Sequence, residues 1–268
     1  MKYKRSKYKL YHADCLEQMR VLAEEGVKVD LVLTDPPYGT TQCKWDTVIP
    51  LEQMWECLNP ICNPSTPILF FGTEPFSSNL RMSNIKNYRY DWIWLKNSSG
   101  SFAVANKMPM KYHENINVFY QKLPTYNPQF QEYSKSIKKR FKQGEMVNRN
   151  KQLENSTNNI TGGLSLESSP IDFERGKNPE SVQYFKAVPN ANGERLHPSQ
   201  KPVPLLEYLI RTYTNEGDTV LDFTMGSGST GVARMNTRRD FIGIELEEKY
   251  YKIAEKRISD ANKQTKLF

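Results

Sequence analysis

The sequence predicts an α/β fold built on a doubly wound, mainly parallel sheet, and three observations carry that prediction. Short apolar runs alternate with segments whose apolar residues recur at helical spacing. Val29 and Leu31 to Leu33 are near-continuously apolar, which marks a strand buried on both faces. That run halts at Asp35-Pro36-Pro37-Tyr38, and a second one, Thr219 to Phe223, enters the turn Thr224-Met225-Gly226-Ser227-Gly228-Ser229-Thr230-Gly231. In open α/β sheets, ligands bind at the carboxyl ends of such strands.

Length and composition set the bounds. A chain of 268 residues suffices for one large domain or for one domain carrying an insertion. With 38% apolar and 25% charged residues it is expected to be globular, and no apolar run approaches the ~20 residues of a membrane span. Met1-Lys2-Tyr3-Lys4-Arg5 is basic, but no apolar signal core follows it. Cys15, Cys43, Cys57 and Cys62 form no CxxC pair, and the three histidines show no metal-ligand spacing. The expectation is a reduced, cytoplasmic, metal-free protein. A net charge of +7 favours an anionic partner.

In chain order, Lys9 to His12 reads as a short strand ending near Asp14. Leu16, Met19, Leu22 and Ala23 then follow at helical spacing, which makes Asp14 a good N-cap. After the Asp35 strand and a loop from Gly39 to Pro50, Leu51, Met54, Trp55, Leu58 and Ile61 form the buried stripe of a helix. Pro67 to Phe71 is a strand, and Glu74-Pro75 opens a helix running to about Lys86. Arg89 to Leu95 and Asn115 to Tyr120 are two further strands. Order returns at His197. Leu205, Leu206, Leu209, Ile210 and Tyr213 keep helical spacing, Glu216-Gly217-Asp218 is a turn, and Thr219 to Phe223 and Phe241 to Glu245 are strands. A closing helix carries Leu246, Tyr250, Ile253 and Ala254.

Between about Gln121 and Leu196 the apolar periodicity fades, and Asn, Ser, Gly, Pro and Lys accumulate. The chain thus divides into residues 1–120, an inserted region 121–196, and 197–268. Within Ser134 to Lys151 stand Lys135, Lys138, Lys139, Arg140, Lys142, Arg149 and Lys151 against the single Glu145, a net +6 of the chain's +7. Such a run is either a solvated face or a nucleic-acid contact. Its place between two ordered halves, with Tyr126, Phe130, Tyr133 and Phe141 interleaved, favours DNA.

Gly226, Gly228 and Gly231 form a GxGxxG after a strand, and Glu245 ends the next strand, where an acid can grip a ribose. A dinucleotide is the default ligand of that pattern. Asp222, however, stands inside the turn. A carboxylate there repels a pyrophosphate but suits the ammonium or sulfonium end of S-adenosylmethionine, so the methyl donor is favoured over NAD.

Together, Asp35-Pro36-Pro37-Tyr38, His197-Pro198-Ser199-Gln200-Lys201-Pro202 and Asp222 to Gly228 resemble the DNA amino-methyltransferases of the beta group. These enzymes transfer methyl from S-adenosylmethionine to adenine N6 or cytosine N4. The resemblance covers roughly residues 9–120 and 180–260 and implies a circularly permuted, Rossmann-like methyltransferase sheet. It also implies cofactor binding by Asp222, Phe223, Thr224, Met225, Gly226, Ser227, Gly228 and Glu245, with Asp14 near the adenine and Asp35 bordering the cofactor. Ser199 and Lys201 would lie near the methionine carboxylate. Thr224 departs from the family, which often has phenylalanine there; the departure touches a stacking contact, not binding itself.

The resemblance makes Asp35, Pro36, Pro37 and Tyr38 the catalytic set. Asp35 and the Pro36 carbonyl would accept the N–H bonds of an exocyclic amine and stabilise the charge developing on it. The base must be flipped out of a duplex, and Tyr38 is placed to stack on it. An acid at position 35 goes mostly with adenine in that family, and serine there with cytosine N4. Adenine N6 is therefore the expected target, with cytosine N4 the alternative. Cytosine-C5 chemistry needs a thiolate, carried in its own family by a Pro-Cys pair, and none of the four cysteines here follows a proline. The expected partners are double-stranded DNA through Lys135, Lys138, Lys139, Arg140, Lys142 and Arg149, a second copy of the chain, and a possible cognate restriction nuclease. One shared ligand requires the Asp35 and Asp222 strands to be neighbours in one sheet.

Overall fold

In the computed structural model, residues 6–40, 46–100, 105–145, 171–190, 193 and 195–264 are described. The strands are β1 (Tyr8–His12), β2 (Leu31–Thr34), β3 (Ile68–Gly72), β4 (Tyr88–Leu95), β5 (His113–Phe119), β6 (Val182–Tyr184), β7 (Thr219–Asp222) and β8 (Asp240–Glu245). The helices are α1 (Cys15–Glu24), α2 (Leu51–Ile61), α3 (Phe76–Ser83), α4 (Lys135–Arg140), α5 (Val203–Tyr213), α6 (Ser229–Asn236) and α7 (Glu248–Gln264).

Among the described residues, the eight strands form one sheet, ordered β1-β8-β7-β2-β3-β5-β4-β6. Only β5 runs against its neighbours: it is antiparallel to β3 and β4, and every other pairing is parallel. The apolar run of β2 explains itself in this arrangement. Leu31 and Leu33 face a core shared with α5, α6 and α7, while Val32 faces the opposite core with α1, α2 and α3. A strand covered on both faces is apolar along its length, and its one polar residue, Thr34, stands at the carboxyl end where the site opens. From β2 the chain proceeds to β3 on one side, and from β7 to β8 on the other. The switch point therefore lies between β2 and β7, and the required neighbouring of the Asp35 and Asp222 strands is met.

Several boundaries differ from those expected. Val29 lies outside β2, in an isolated bridge to Cys62. α3 ends at Ser83 rather than near Lys86, because Asn84 leaves helical geometry at φ −148. β7 stops at Asp222, one residue before Phe223.

The chain forms two compact units, one running to Asn127 and resuming at Ser181, the other spanning Pro128–Glu180. The second is narrower than the expected 121–196. Asn127 belongs with the sheet-bearing unit because its amide donates to Thr212 O at 2.7 Å and its side chain to Thr214 O at 3.0 Å, at the end of α5. At the other end, β6 extends the sheet beside β4. Among the described residues, no helix is long and apolar enough to cross a membrane.

Candidate active site

A cavity of about 410 Å³ opens at the carboxyl ends of β2 and β7. Its floor is tied together by Thr34, whose hydroxyl donates to Asp222 Oδ1 at 2.9 Å and lies 2.6 Å from the Thr224 hydroxyl. Asp222 also accepts from the Thr224 amide at 3.2 Å. Burial nevertheless pushes its carboxyl up to about 7. An acid so placed gains most from a cationic neighbour.

Asp35 stands on the rim of β2, and both of its oxygens are engaged. The Tyr38 hydroxyl donates to Oδ1 and the Lys201 ammonium to Oδ2. Tyr38 is half-buried, its ring 5.0 Å from that of Phe76. Burial and the Asp35 charge raise its hydroxyl, which therefore stays a donor. Lys201 lies over the Phe71 ring at 5.0 Å and also pairs with Glu114 Oε2 at 3.5 Å. Lys96 holds the other Glu114 oxygen. Burial pushes the Asp35 carboxyl up, against the pull of Lys201, while the two carboxylates hold Lys201 protonated despite its burial. Lys201 lines the cavity, and besides Asp35 and Glu114 its ammonium donates to Ser199 O at 3.2 Å.

Glu114 was not anticipated. It shares a strand face with Ile116 and Val118, both buried in the core. That shared face is the one mark it leaves in the sequence, and it does not by itself point to Lys201. Asp46 was missed too. Its carboxylate accepts from the amides of Tyr38, Gly39 and Thr40 at 2.8, 2.9 and 2.9 Å and so fixes the loop after the prolines. Nothing in its spacing from Asp35 points to that role.

The glycine turn lies across the cavity. Gly226 (φ +52) lines it, and its amide donates to Glu245 Oε2 at 2.8 Å. The Glu247 amide donates to Glu245 Oε1 at 2.9 Å, and the carboxylate keeps acceptor capacity for a ribose diol. Phe223, Thr224, Met225, Ser227, Pro36 and Pro37 also line the cavity. Gly228 does not. It precedes α6 at φ +77, and a Cβ there would meet Ala254 of α7 at 2.8 Å. Its lack of a side chain serves helix packing. Asp14 lines the cavity and caps α1, accepting from Leu16 and Glu17 at 2.9 and 3.1 Å. Ser199 lines it as well, its hydroxyl 3.0 Å from His197 Nδ1. Burial lowers His197 to about 4, so the ring packed on Tyr250 is neutral.

In the second unit, Lys135, Lys138, Lys139 and Arg140 stand on α4, and Lys142 follows it. Lys138 pairs with Glu132 at 3.6 Å, and Arg140 lies 5.2 Å from the Phe141 ring. Arg149 lies outside the described residues.

An α/β sheet with a cavity at its switch point, two strand-end acids facing a glycine turn and a third acid across from them is the arrangement of the α/β proteins that bind nucleoside cofactors. Among these, the chain belongs to the N6/N4 DNA methylase family, whose profile matches residues 29–256. These are S-adenosylmethionine-dependent DNA methyltransferases. The type II methyltransferase M.HpaI of Haemophilus parainfluenzae is 26% identical, over 93% of this chain and 74% of its own length. The DNA adenine methyltransferase YhdJ of Escherichia coli is also 26% identical, over 94% and 83%. The similarity to M2.DpnII of Streptococcus pneumoniae is local, 52% over a quarter of each chain. Among solved structures, the M1.HpyAVI complex with S-adenosylmethionine aligns at a TM-score of 0.63 and 25% identity, over 94% of this chain and 98% of that one. The cytosine-N4-specific PvuII methyltransferase aligns at 0.61 over 98% and 93%, and at 15% identity that likeness concerns the fold alone.

Proposed function

We propose that this chain methylates N6 of adenine in double-stranded DNA, by direct attack of a flipped base on the methyl of S-adenosylmethionine. The observation that carries the reading is the meeting of Asp35, Asp222 and Glu245 around one cavity, from strands far apart in sequence. The donor set suits the cofactor: a buried acid for its cationic end, and a carboxylate with acceptor capacity for its ribose. Asp14 and Ser199 border the same space, whose volume lies in the ordinary range for small-molecule sites.

When bound, S-adenosylmethionine supplies an electrophilic methyl on a sulfonium. The protein's part is to make an amine nucleophilic, since its lone pair is delocalised into the ring. Asp35 and the Pro36 carbonyl accept the two N–H bonds and draw the nitrogen toward tetrahedral geometry. The Asp35 charge then stabilises the positive charge growing there. Because both Asp35 oxygens are engaged, the entering amine displaces either the Tyr38 hydroxyl or Lys201. Tyr38, which lines the same cavity, stacks on the base, a contact of ~1–3 kcal/mol by analogy with single-strand binding. Lys135, Lys138, Lys139, Arg140 and Lys142 contact phosphates from the second unit.

Adenine is favoured by the acid at position 35 and by the similarity to YhdJ over most of both chains. Cytosine N4 is the second reading, since a cytosine-N4 enzyme shares the fold. Mixed-sequence DNA incubated with the protein and S-adenosylmethionine, then digested to nucleosides, decides between them by mass. N6-methyladenine is the expected product; N4-methylcytosine selects the second reading, and no methylated nucleoside rejects both.

A further inference from the structure

Resting on the methyltransferase reading, we infer that Glu114 is a positioning residue which draws Lys201 away from Asp35 when the target amine arrives. Four observations lead there. Lys201 Nζ sits directly on Asp35 Oδ2, occupying an oxygen that the chemistry needs as an acceptor. Glu114 Oε2 lies 3.5 Å from the same ammonium, is buried, and has no hydrogen-bond partner. Glu114 itself is held in place by Lys96, whose ammonium lies 4.9 Å from the Trp94 ring. All of this is enclosed, the Lys201 side chain being 7% exposed and that of Glu114 14%.

A buried carboxylate oxygen held only by an ion pair at 3.5 Å, short of a hydrogen bond, gains from a second arrangement that closes the contact. A small swing of the Lys201 ammonium provides one: it leaves Asp35 Oδ2, hydrogen-bonds Glu114 Oε2 and stays between two acids throughout. Asp35 is then free to accept from the amine, and the ammonium moves away from the nitrogen on which positive charge develops. No proton changes hands. The two carboxylates, Asp35 and Glu114, therefore share one cation, and the base decides which of them holds it.

The arrangement has a pH signature. Asp35 faces Lys201, Glu114, Tyr38 and Asp222, and Glu114 faces Lys201, Lys96 and Lys111. Transfer requires ionised Asp35, so its rate falls on the acid side. The Glu114 charge raises the Asp35 carboxyl, and the Lys201 charge lowers it. Removing Glu114 therefore moves the acid limb to lower pH while slowing transfer at the plateau, because Lys201 no longer leaves Asp35. The limb shift follows from the Glu114 charge alone; what marks the positioning role is that the plateau loss depends on Lys201 being present.

The test is single-turnover methyl transfer from labelled S-adenosylmethionine to unmethylated mixed-sequence DNA, followed across pH, with cofactor affinity measured on each variant as a control for folding. Glu114→Gln is expected to lower the plateau on the order of 10- to 100-fold, as misplacing a reacting group does, and to shift the acid limb downward. In a Lys201→Met background, Glu114→Gln should add little to the loss. A wild-type plateau and limb in Glu114→Gln, or the same loss in both backgrounds, overturns the inference. If Glu114→Gln fails to bind cofactor, Glu114→Asp replaces it: the charge stays but the oxygen is withdrawn, so a lower plateau with an unmoved limb supports the inference and a wild-type plateau overturns it. Wild-type protein that methylates no base overturns the functional reading as well, which separates the two failures.

Discussion

Burial holds the Asp222 carboxyl up to about 7 even though Thr34 and the Thr224 amide hydrogen-bond it. A cationic ligand binds its ionised form, so binding and protonation compete. Cofactor affinity should therefore rise as pH climbs toward 7 and level off above it, changing by up to about tenfold per unit on the acid side. Calorimetric titration with S-adenosylmethionine between pH 5 and 8 checks this; flat affinity would place the cofactor's charge elsewhere. Asp222 was legible because an acid inside a glycine turn is anomalous. Glu114 and Asp46 were not, for different reasons. Glu114 is marked only by sharing a strand face with Ile116 and Val118, and the register that puts Lys201 beside it comes from the far end of the chain. Asp46 works through backbone amides, which carry no side-chain pattern.

At the level of elements, the loop after β2 and the turn after β7 make separable demands. Asp46→Ala leaves the amides of Tyr38, Gly39 and Thr40 without their shared acceptor. The expected result is a loss of stability of roughly 1–3 kcal/mol and slowed transfer, with cofactor affinity little changed because Glu245 and Asp222 remain. Gly228→Ala strains a left-handed residue and drives a Cβ into Ala254. It should cost roughly 2–4 kcal/mol and lower the melting temperature, whereas Gly226→Ala, whose Cβ would clear the His197 ring by 3.6 Å, should melt closer to wild type. Equal melting of the two variants would contradict the packing role of Gly228. Strands covered on both faces were legible as continuous apolar runs. The reversed direction of β5 was not, because direction leaves no trace in a strand's own composition. The three-residue β6 and six-residue α4 are too short for any periodicity to register.

On the scale of the whole molecule, the net positive charge is concentrated in one stretch of the sequence, Ser134 to Lys151. We propose that the cations of α4 position DNA by contacting phosphates. Replacing Lys138, Lys139 and Arg140 with alanine should weaken DNA binding and flatten its salt dependence by up to ~0.9 per lost contact, leaving cofactor affinity as it was. An unchanged slope would make these residues a solvated face. The chemistry lies elsewhere, where two distant parts of the chain meet. Asp35 follows β2 near the amino end, Asp222 ends β7 nearly two hundred residues later, and sheet pairing makes them neighbours. The most direct test of that convergence is the single-turnover rate of Asp35→Ala, measured with cofactor and DNA both bound. Loss of one preorganised charge predicts a fall of about 10²–10³, with Asp35→Asn retaining more activity than Ala if hydrogen bonding to the amine dominates. Methyl transfer by Asp35→Ala at the wild-type rate would contradict the account.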